Sequence, residues 1–93
     1  MANQATQVIH ISKESNAATV AELIVAAVRE RREVEVLAVG AAAAGQMMLA
    51  LANARANLSR DNIMIVFTPF FAEVEVNGLA TTAVRMQLND LRS

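Results

Sequence analysis

The spacing of apolar residues changes several times along the chain, and each change marks a predicted element. Residues 6–12, TQVIHIS, alternate between the two faces of a strand and are rich in β-branched side chains, which predicts a first strand. Apolar residues then recur with helical spacing to about Arg32, with Ser15 or Asn16 as the N-cap. The predicted buried stripe of this helix comprises Val20, Leu23, Ile24, Ala27 and Val28.

The middle of the chain is predicted to form an interior strand followed by a nearly all-apolar helix. Residues 34–39, VEVLAV, are mostly apolar, as expected of a strand that is covered on at least one face. The helix from about Ala41 to Asn57 has only Gln46 as a polar residue before Asn53. Because a small domain cannot cover all sides of such a helix, we expect another subunit to cover it in a homodimer or larger assembly. The residues expected at that interface are Ala44, Gly45, Met48, Leu49 and Ala52.

The last third of the chain is predicted to form a long β-hairpin. Residues 62–91 contain two strand-like runs around Asn77-Gly78, a dipeptide that favours a type I′ turn because both central positions need positive φ. A two-residue turn there pairs Val76 with Leu79, Phe71 with Val84, and Phe67 with Leu88. Apolar residues occupy odd positions before Phe71 and even positions after it, which predicts a bulge or bend at Pro69.

These elements together predict a single α/β domain of the two-layer α+β kind. Their order is β-α-β-α-β-β with a long C-terminal hairpin, and 93 residues leave room for one modest core. Residues 1–93 are expected to form this one domain, with residues 1–5 as a flexible N-terminus. The first residues, MANQATQ, lack the basic and apolar regions of a signal peptide, and the chain has no cysteine. A cytoplasmic location is therefore expected.

Gly40 and Gly45 lie between the second strand and the second helix, where a phosphate-binding loop would stand. Such a loop needs a lysine and a hydroxyl residue directly after its second glycine. Gln46 and Met47 occupy those two positions, so the sequence argues against a nucleotide site. Gly40 is instead expected to permit a tight strand-to-helix turn, and Gly45 to permit a close helix contact.

The sequence contains no recognisable catalytic or metal-binding constellation. It has one histidine, His10, no cysteine, and no carboxylate pair within a pocket motif. We therefore expect a non-enzymatic protein with no cofactor, no metal and no small-molecule substrate. The apolar residues 36–52 are short and alanine-rich for a membrane span, and a buried strand and helix explain them better. No membrane partner is expected.

The segment VGAAAAGQMMLALANAR resembles the strand-to-helix segment of the stage V sporulation protein S family. Members of that family read roughly Ile-Gly-Ala-Gly-Ala-x-Asn-Gln-Ala-x-Lys-Ala-x-Ala-Ile-Ala-Arg there. The positions that match are Gly40, Ala41, Ala43, Gln46, Ala50, Ala52, Ala54 and Arg55. Similar segments elsewhere are ISKES, VRER at 28–31, TPFF, Asn77-Gly78 and TAVRM, so that the resemblance extends from Val8 to Leu88.

The resemblance implies the fold of Alba, a small chromatin and RNA-binding protein, and hence DNA or RNA as candidate partners. In Alba-like proteins two subunits pair, and basic residues of the first strand-to-helix loop and the hairpin arms contact nucleic acid. Lys13 lies where that loop has its first lysine, whereas Glu14 replaces the second. Leu49 replaces the helix lysine of the sporulation family. The candidate nucleic-acid-binding residues are Lys13, Arg55, Arg60 and Arg85.

The charge pattern leaves two functional hypotheses open. The formal net charge is -1, so no overall basic field attracts nucleic acid, and Glu73 and Glu75 repel phosphate at the hairpin tip. The arginines at 29, 31 and 32 alternate with glutamates and suit either a phosphate contact or a solvated helix end. The protein is thus expected to be either a regulatory homodimer with weak nucleic-acid binding, or a self-assembling or protein-interaction scaffold that has lost that binding.

Overall fold

The structure, a computed structural model, describes residues 6–92 and confirms the order β-α-β-α-β-β. The elements are β1 (Gln7–Ile11), α1 (Ala17–Arg29), β2 (Val34–Val39), α2 (Ala41–Ser59), β3 (Ile65–Val76) and β4 (Leu79–Asp90). The strands form one mixed sheet in the order β1-β2-β4-β3, in which β1 is parallel to β2 and the other pairs are antiparallel. The flexibility predicted for residues 1–5 lies outside the described residues.

The hydrophobic core lies between the two helices and one face of the sheet, here called the inner face. Its sheet side includes Ile9, Ile11, Val34, Val36, Ala38, Ile65, Met86 and Leu88. Its helix side includes Val20, Ala21, Ile24, Ala27 and Val28 of α1, and Ala43, Met47, Ala50, Leu51, Ala54 and Leu58 of α2. Leu23, predicted within the buried stripe, is instead 48% exposed. Ala21 belongs to the buried stripe in its place, and the two residues lie about 200° apart around the helix.

Helix α1 begins as predicted and ends earlier than predicted. The Asn16 side chain accepts a hydrogen bond of 3.1 Å from the Thr19 N–H, which caps the N-terminus. Arg31 has φ of 58°, a left-handed conformation that a helix cannot continue through. The N–H groups of Arg31 and Arg32 then donate back to the carbonyls of Val28 and Ala27 at 2.9 and 3.0 Å. This C-terminal cap explains why the helix stops at Arg29.

The apolar residues 36–52 form β2 and most of α2, joined at Gly40. Gly40 has φ of +89°, so the predicted tight strand-to-helix turn is confirmed. The close helix contact predicted for Gly45 is wrong among residues 6–92, because Gly45 is exposed and a Cβ there would meet none of their atoms within 4 Å. Among the helices of residues 6–92, none combines the length and the apolar character that crossing a membrane requires.

The hairpin has the predicted register, and of the bulge or bend predicted at Pro69 the bulge is absent. Val76 pairs with Leu79, and pairing continues without interruption to Ile65 and Asp90. Pro69 pairs with Met86 at a position whose backbone nitrogen points away from β4. The missing N–H of proline therefore removes no hydrogen bond between β3 and β4. The apolar residues of β3 change from odd to even positions because the hairpin extends beyond the core. The last pairing of β2 is Val39 with Ala83, and residues 73–82, here called the hairpin arm, project past it.

Candidate association surface and candidate nucleic-acid residues

The inner face of the hairpin is buried at its base, at Ile65 and Leu88, but is open from Pro69 toward the tip in the described residues, because both helices pack mainly over β1 and β2. Side chains of β3 and β4 on this face lie beside the flank of α2 that faces away from α1. Together they form an apolar groove of about 450 Å³, here called the α2–hairpin groove. It is lined by Met48, Leu51, Ala52, Arg55, Ala56, Phe67, Pro69 and Met86.

Large apolar side chains are exposed along the groove and beside it. Phe71 is 87% exposed and Met48 is 56% exposed. Next to Pro69 at the end of the groove, Phe71 and Val84 continue the apolar surface of the inner face toward the hairpin arm. Burying a phenylalanine or methionine side chain stabilises a protein by about 1.5–3 kcal/mol. A contiguous apolar surface of this kind on a small domain is a candidate interaction surface.

Lys13 lies in the loop after β1, beside the N-terminus of α2. A shallow depression there is lined by the β1 end and the α2 start, including His10, Lys13, Gly40 and Ala41. Gly40 is the N-cap of α2 and provides no side-chain hydrogen bond, and the first turn has no acidic residue. The free N–H groups and the positive end of the helix dipole therefore favour an anion at this end of α2.

The other three candidate nucleic-acid residues do not join Lys13 in one surface. Arg55 lines the α2–hairpin groove, where its guanidinium donates to the sulfur of Met64 at 3.5 Å. Arg60 is exposed just after the C-terminus of α2, at the opposite end of the helix from Lys13. Arg85 lies on the outer face of the sheet, 5.0 Å from the centre of the Phe70 ring and 3.9 Å from the Glu35 carboxylate.

Comparison with models of protein families shows which family this chain is related to. The sequence model of the family described as Stage V sporulation protein S (SpoVS) matches residues 7–90. The chain belongs to the stage V sporulation protein S family. The match includes all six elements, so the resemblance seen in the sequence is confirmed. Membership makes the chain a sporulation-related protein of a regulatory family that is not known as an enzyme family.

Charge differs between the two ends of the sheet in this SpoVS family member. The end with the hairpin arm has Lys13 together with Glu14, Glu73 and Glu75, all of them exposed. The opposite end contains most of the arginines, and several are paired with carboxylates. Arg29 pairs with Asp61, Arg32 pairs with Glu30 at 2.9 Å, and Arg92 pairs with Asp90.

Asp90 and Arg92 join the end of β4 to α1. The guanidinium of Arg92 donates to the Asp90 carboxylate at 2.9 Å and to the Val28 carbonyl at 2.7 Å. The hydrogen bond from Arg92 holds the pKa of Asp90 below its ordinary value, and partial burial opposes this only in part. The same contact raises the pKa of Arg92. This pair stabilises the C-terminal end of the SpoVS chain rather than forming a reactive site.

The structure separates the residues that we predicted for the subunit interface. Met48 and Ala52 line the α2–hairpin groove, and Ala44 is half-buried against the core. Leu49, at 61% exposure, and Gly45 are exposed on α2 but do not line the groove. Sequence reasoning missed the hairpin residues of the groove, which are Phe67, Pro69 and Met86, and the adjacent Phe71. The switch of apolar residues from odd to even positions at Phe71 could have identified these residues, since it marks where the hairpin leaves the core.

Proposed function

We propose that this protein is a non-enzymatic regulatory protein that works as a homodimer formed through the α2–hairpin groove. The observation that supports this proposal is the open inner face of the hairpin, with Phe71 at 87% exposure beside the exposed flank of α2. Membership of a sporulation regulatory family agrees with a role that depends on assembly rather than on catalysis.

A second copy is the occupant that fits this surface best. A twofold axis through the groove places α2 of one protomer against the open hairpin face of its partner, and the reverse contact forms by symmetry. Both surfaces are mainly apolar, and Arg55 is the charged residue among those that line the groove. Such a contact buries the apolar side chains at the groove centre and leaves polar residues at the rim, as in most stable interfaces.

Light scattering at micromolar concentration tests the proposed dimer. We expect a mass of at least twice the 10.0 kDa of the chain. We also expect that mass to persist as salt rises, because apolar association does not weaken with ionic screening. A monomeric mass under these conditions would refute the proposal.

Weak nucleic-acid binding is the second candidate function, and the uncapped N-terminus of α2 beside Lys13 supports it. Lys13 lines this anion-favouring site, and the resemblance to Alba-like proteins places it at their first loop lysine. Glu14, Glu73 and Glu75 lie at the same end of the sheet and oppose phosphate. We therefore expect affinity to be low at physiological salt.

Fluorescence polarisation with random duplex and single-stranded nucleic acid at low salt tests this second function. If binding occurs, Lys13→Glu should weaken it and lower the salt slope by about one phosphate contact. Arg60→Glu makes the same charge change at the opposite end of α2 and serves as the control. Equal effects of the two variants would show that Lys13 is not a specific contact. No binding for the unaltered protein would leave assembly as its function.

A further inference from the structure

The outer edge of β3 carries unpaired backbone groups within residues 6–92, because β3 is at the edge of the sheet and its one partner strand in that range is β4. The Met64 carbonyl accepts a hydrogen bond of 3.0 Å from the Leu91 N–H, and Val76 and Leu79 close the two-residue turn. In an antiparallel pair, bonded and outward-pointing residues alternate. Even-numbered residues of β3 therefore bond to β4, and odd-numbered residues point their N–H and C=O groups away from the sheet.

Pro69 limits the part of this edge that can pair with another strand. Proline has no N–H, and Pro69 stands at one of the outward-pointing positions. On the tip side of Pro69, the outward-pointing residues are Phe71, Glu73 and Glu75, and all three are exposed. The usable edge thus extends from Phe71 to Val76, about 20 Å of strand at the usual rise per residue.

The side chains along this edge specify the chemistry of a partner. Glu73 and Glu75 lie on one face of the strand, and neither forms an ion pair with another residue in the range 6–92. The opposite face has Ala72, Val74 and Val76. Cross-strand neighbours are favourable when charges are opposite or when β-branched residues meet. A complementary strand therefore alternates basic residues with apolar β-branched residues.

We propose that the edge Phe71–Val76 binds an extended basic segment of a partner protein, which adds to β3 as an antiparallel strand. This interaction goes beyond the proposed function, since it uses the free edge of the hairpin and not the α2–hairpin groove. A second copy does not suit this edge, because pairing two β3 arms would bring their glutamates together on one face. The same two glutamates disfavour nucleic acid at this place.

A synthetic peptide tests the proposed strand addition. The probe is acetyl-Val-Lys-Val-Lys-Val-Lys-Thr-amide, and its two controls carry glutamate in place of lysine or N-methyl groups on the three lysine backbone nitrogens. We expect the lysine peptide to bind, the glutamate peptide not to bind, and the N-methylated peptide to lose binding although its charge is unchanged. Loss on N-methylation separates strand addition from general charge attraction, because only the backbone hydrogen bonds are removed.

Amide hydrogen exchange locates the bound peptide. Exchange at Phe71, Glu73 and Glu75 should slow when the lysine peptide is present, since their N–H groups become bonded. Exchange at Ala72 and Val74 should stay unchanged, because those N–H groups already bond to β4. No change at the three odd-numbered amides, or equal binding of the lysine and glutamate peptides, would overturn the proposal. The proposal would also be overturned if exchange at those amides is already slow without peptide and slows further as the protein concentration rises. That result would mean that a second copy of the chain occupies the edge.

A pair of double variants completes the test. Glu73→Gln with Glu75→Gln should weaken binding of the lysine peptide by about 2-fold to 30-fold, since each opposite-charge pair contributes roughly 0.2–1 kcal/mol. Glu14→Gln with Glu22→Gln removes the same charge from exposed positions elsewhere and should leave binding unchanged. Equal weakening of peptide binding in the two double variants would contradict specific recognition by Glu73 and Glu75. The mass from light scattering is recorded for all variants, so that loss of peptide binding is distinguished from failure of the proposed homodimer.

Discussion

Phe70 and Phe71 are adjacent in β3, yet their side chains lie on opposite faces of the sheet in different surroundings. Phe70 is on the outer face, 39% exposed, with the Arg85 guanidinium 5.0 Å from its ring centre. Phe71 is on the inner face, 87% exposed, where neither helix covers the hairpin. Phe70 thus has a partner within its own chain, and Phe71 is exposed on the surface that we propose for the homodimer contact.

Replacing these two residues by threonine separates association from folding. Phe71→Thr should raise the dissociation constant of the homodimer by at least about 100-fold, because about 1.5–3 kcal/mol of apolar burial is lost at each of the two symmetry-related sites. Phe70→Thr makes the same chemical change on the other face and should leave association unchanged. Sedimentation or light scattering over a dilution series measures both. If Phe70→Thr dissociates the dimer and Phe71→Thr does not, the interface lies on the outer face instead.

Two glycines of the β2–α2 segment should respond in opposite directions to alanine. Gly40→Ala forces an L-residue into φ of 89° and ψ of 162°, a region that is essentially restricted to glycine, and should destabilise the fold by about 1–3 kcal/mol. Gly45→Ala should stabilise it by up to about 1 kcal/mol, because alanine is the better helix former and the added Cβ meets nothing within 4 Å. Urea unfolding measures both changes. Destabilisation by Gly45→Ala would show that the exposed face of α2 is closely covered in the assembly.

The Asp90–Arg92 pair should make stability depend on pH in the acid range. The pKa of Asp90 is lowered in the fold from its ordinary value of 3.8. The stabilisation that its carboxylate provides is therefore fully present at pH values above 3.8. The contribution is lost as the pH falls through the lower folded pKa. Asp90→Asn should therefore lower Tm at neutral pH, and the difference from the unaltered protein should shrink in acid.

Thermal unfolding across that pH range measures the effect of Asp90→Asn. Asp61→Asn removes one negative charge from a more exposed pair at the same end of the molecule, so it should have a smaller effect at neutral pH. A Tm difference for Asp90→Asn that does not change with pH would contradict the assigned role of the carboxylate.

Local sequence determined the elements and their order. Alternation, helical spacing and the Asn77-Gly78 turn act over a few residues, and the structure has the predicted β-α-β-α-β-β order and hairpin register. Asn16 and Gly40 act equally locally, through a side-chain cap and a positive φ. The family was also recognisable from the sequence, because similar segments extend from Val8 to Leu88, including the continuous stretch around Gly40.

Tertiary structure decided which apolar residues are buried. Sequence periodicity identifies an apolar face but not what covers it, so Leu23 was wrongly assigned to the core and Pro69 to a bulge. The pairing of Phe71 was predictable, but its exposure depends on both helices packing over β1 and β2, which the order of elements does not specify. Contacts between distant segments set that packing, so the groove and the free edge of β3 became visible only in the folded chain.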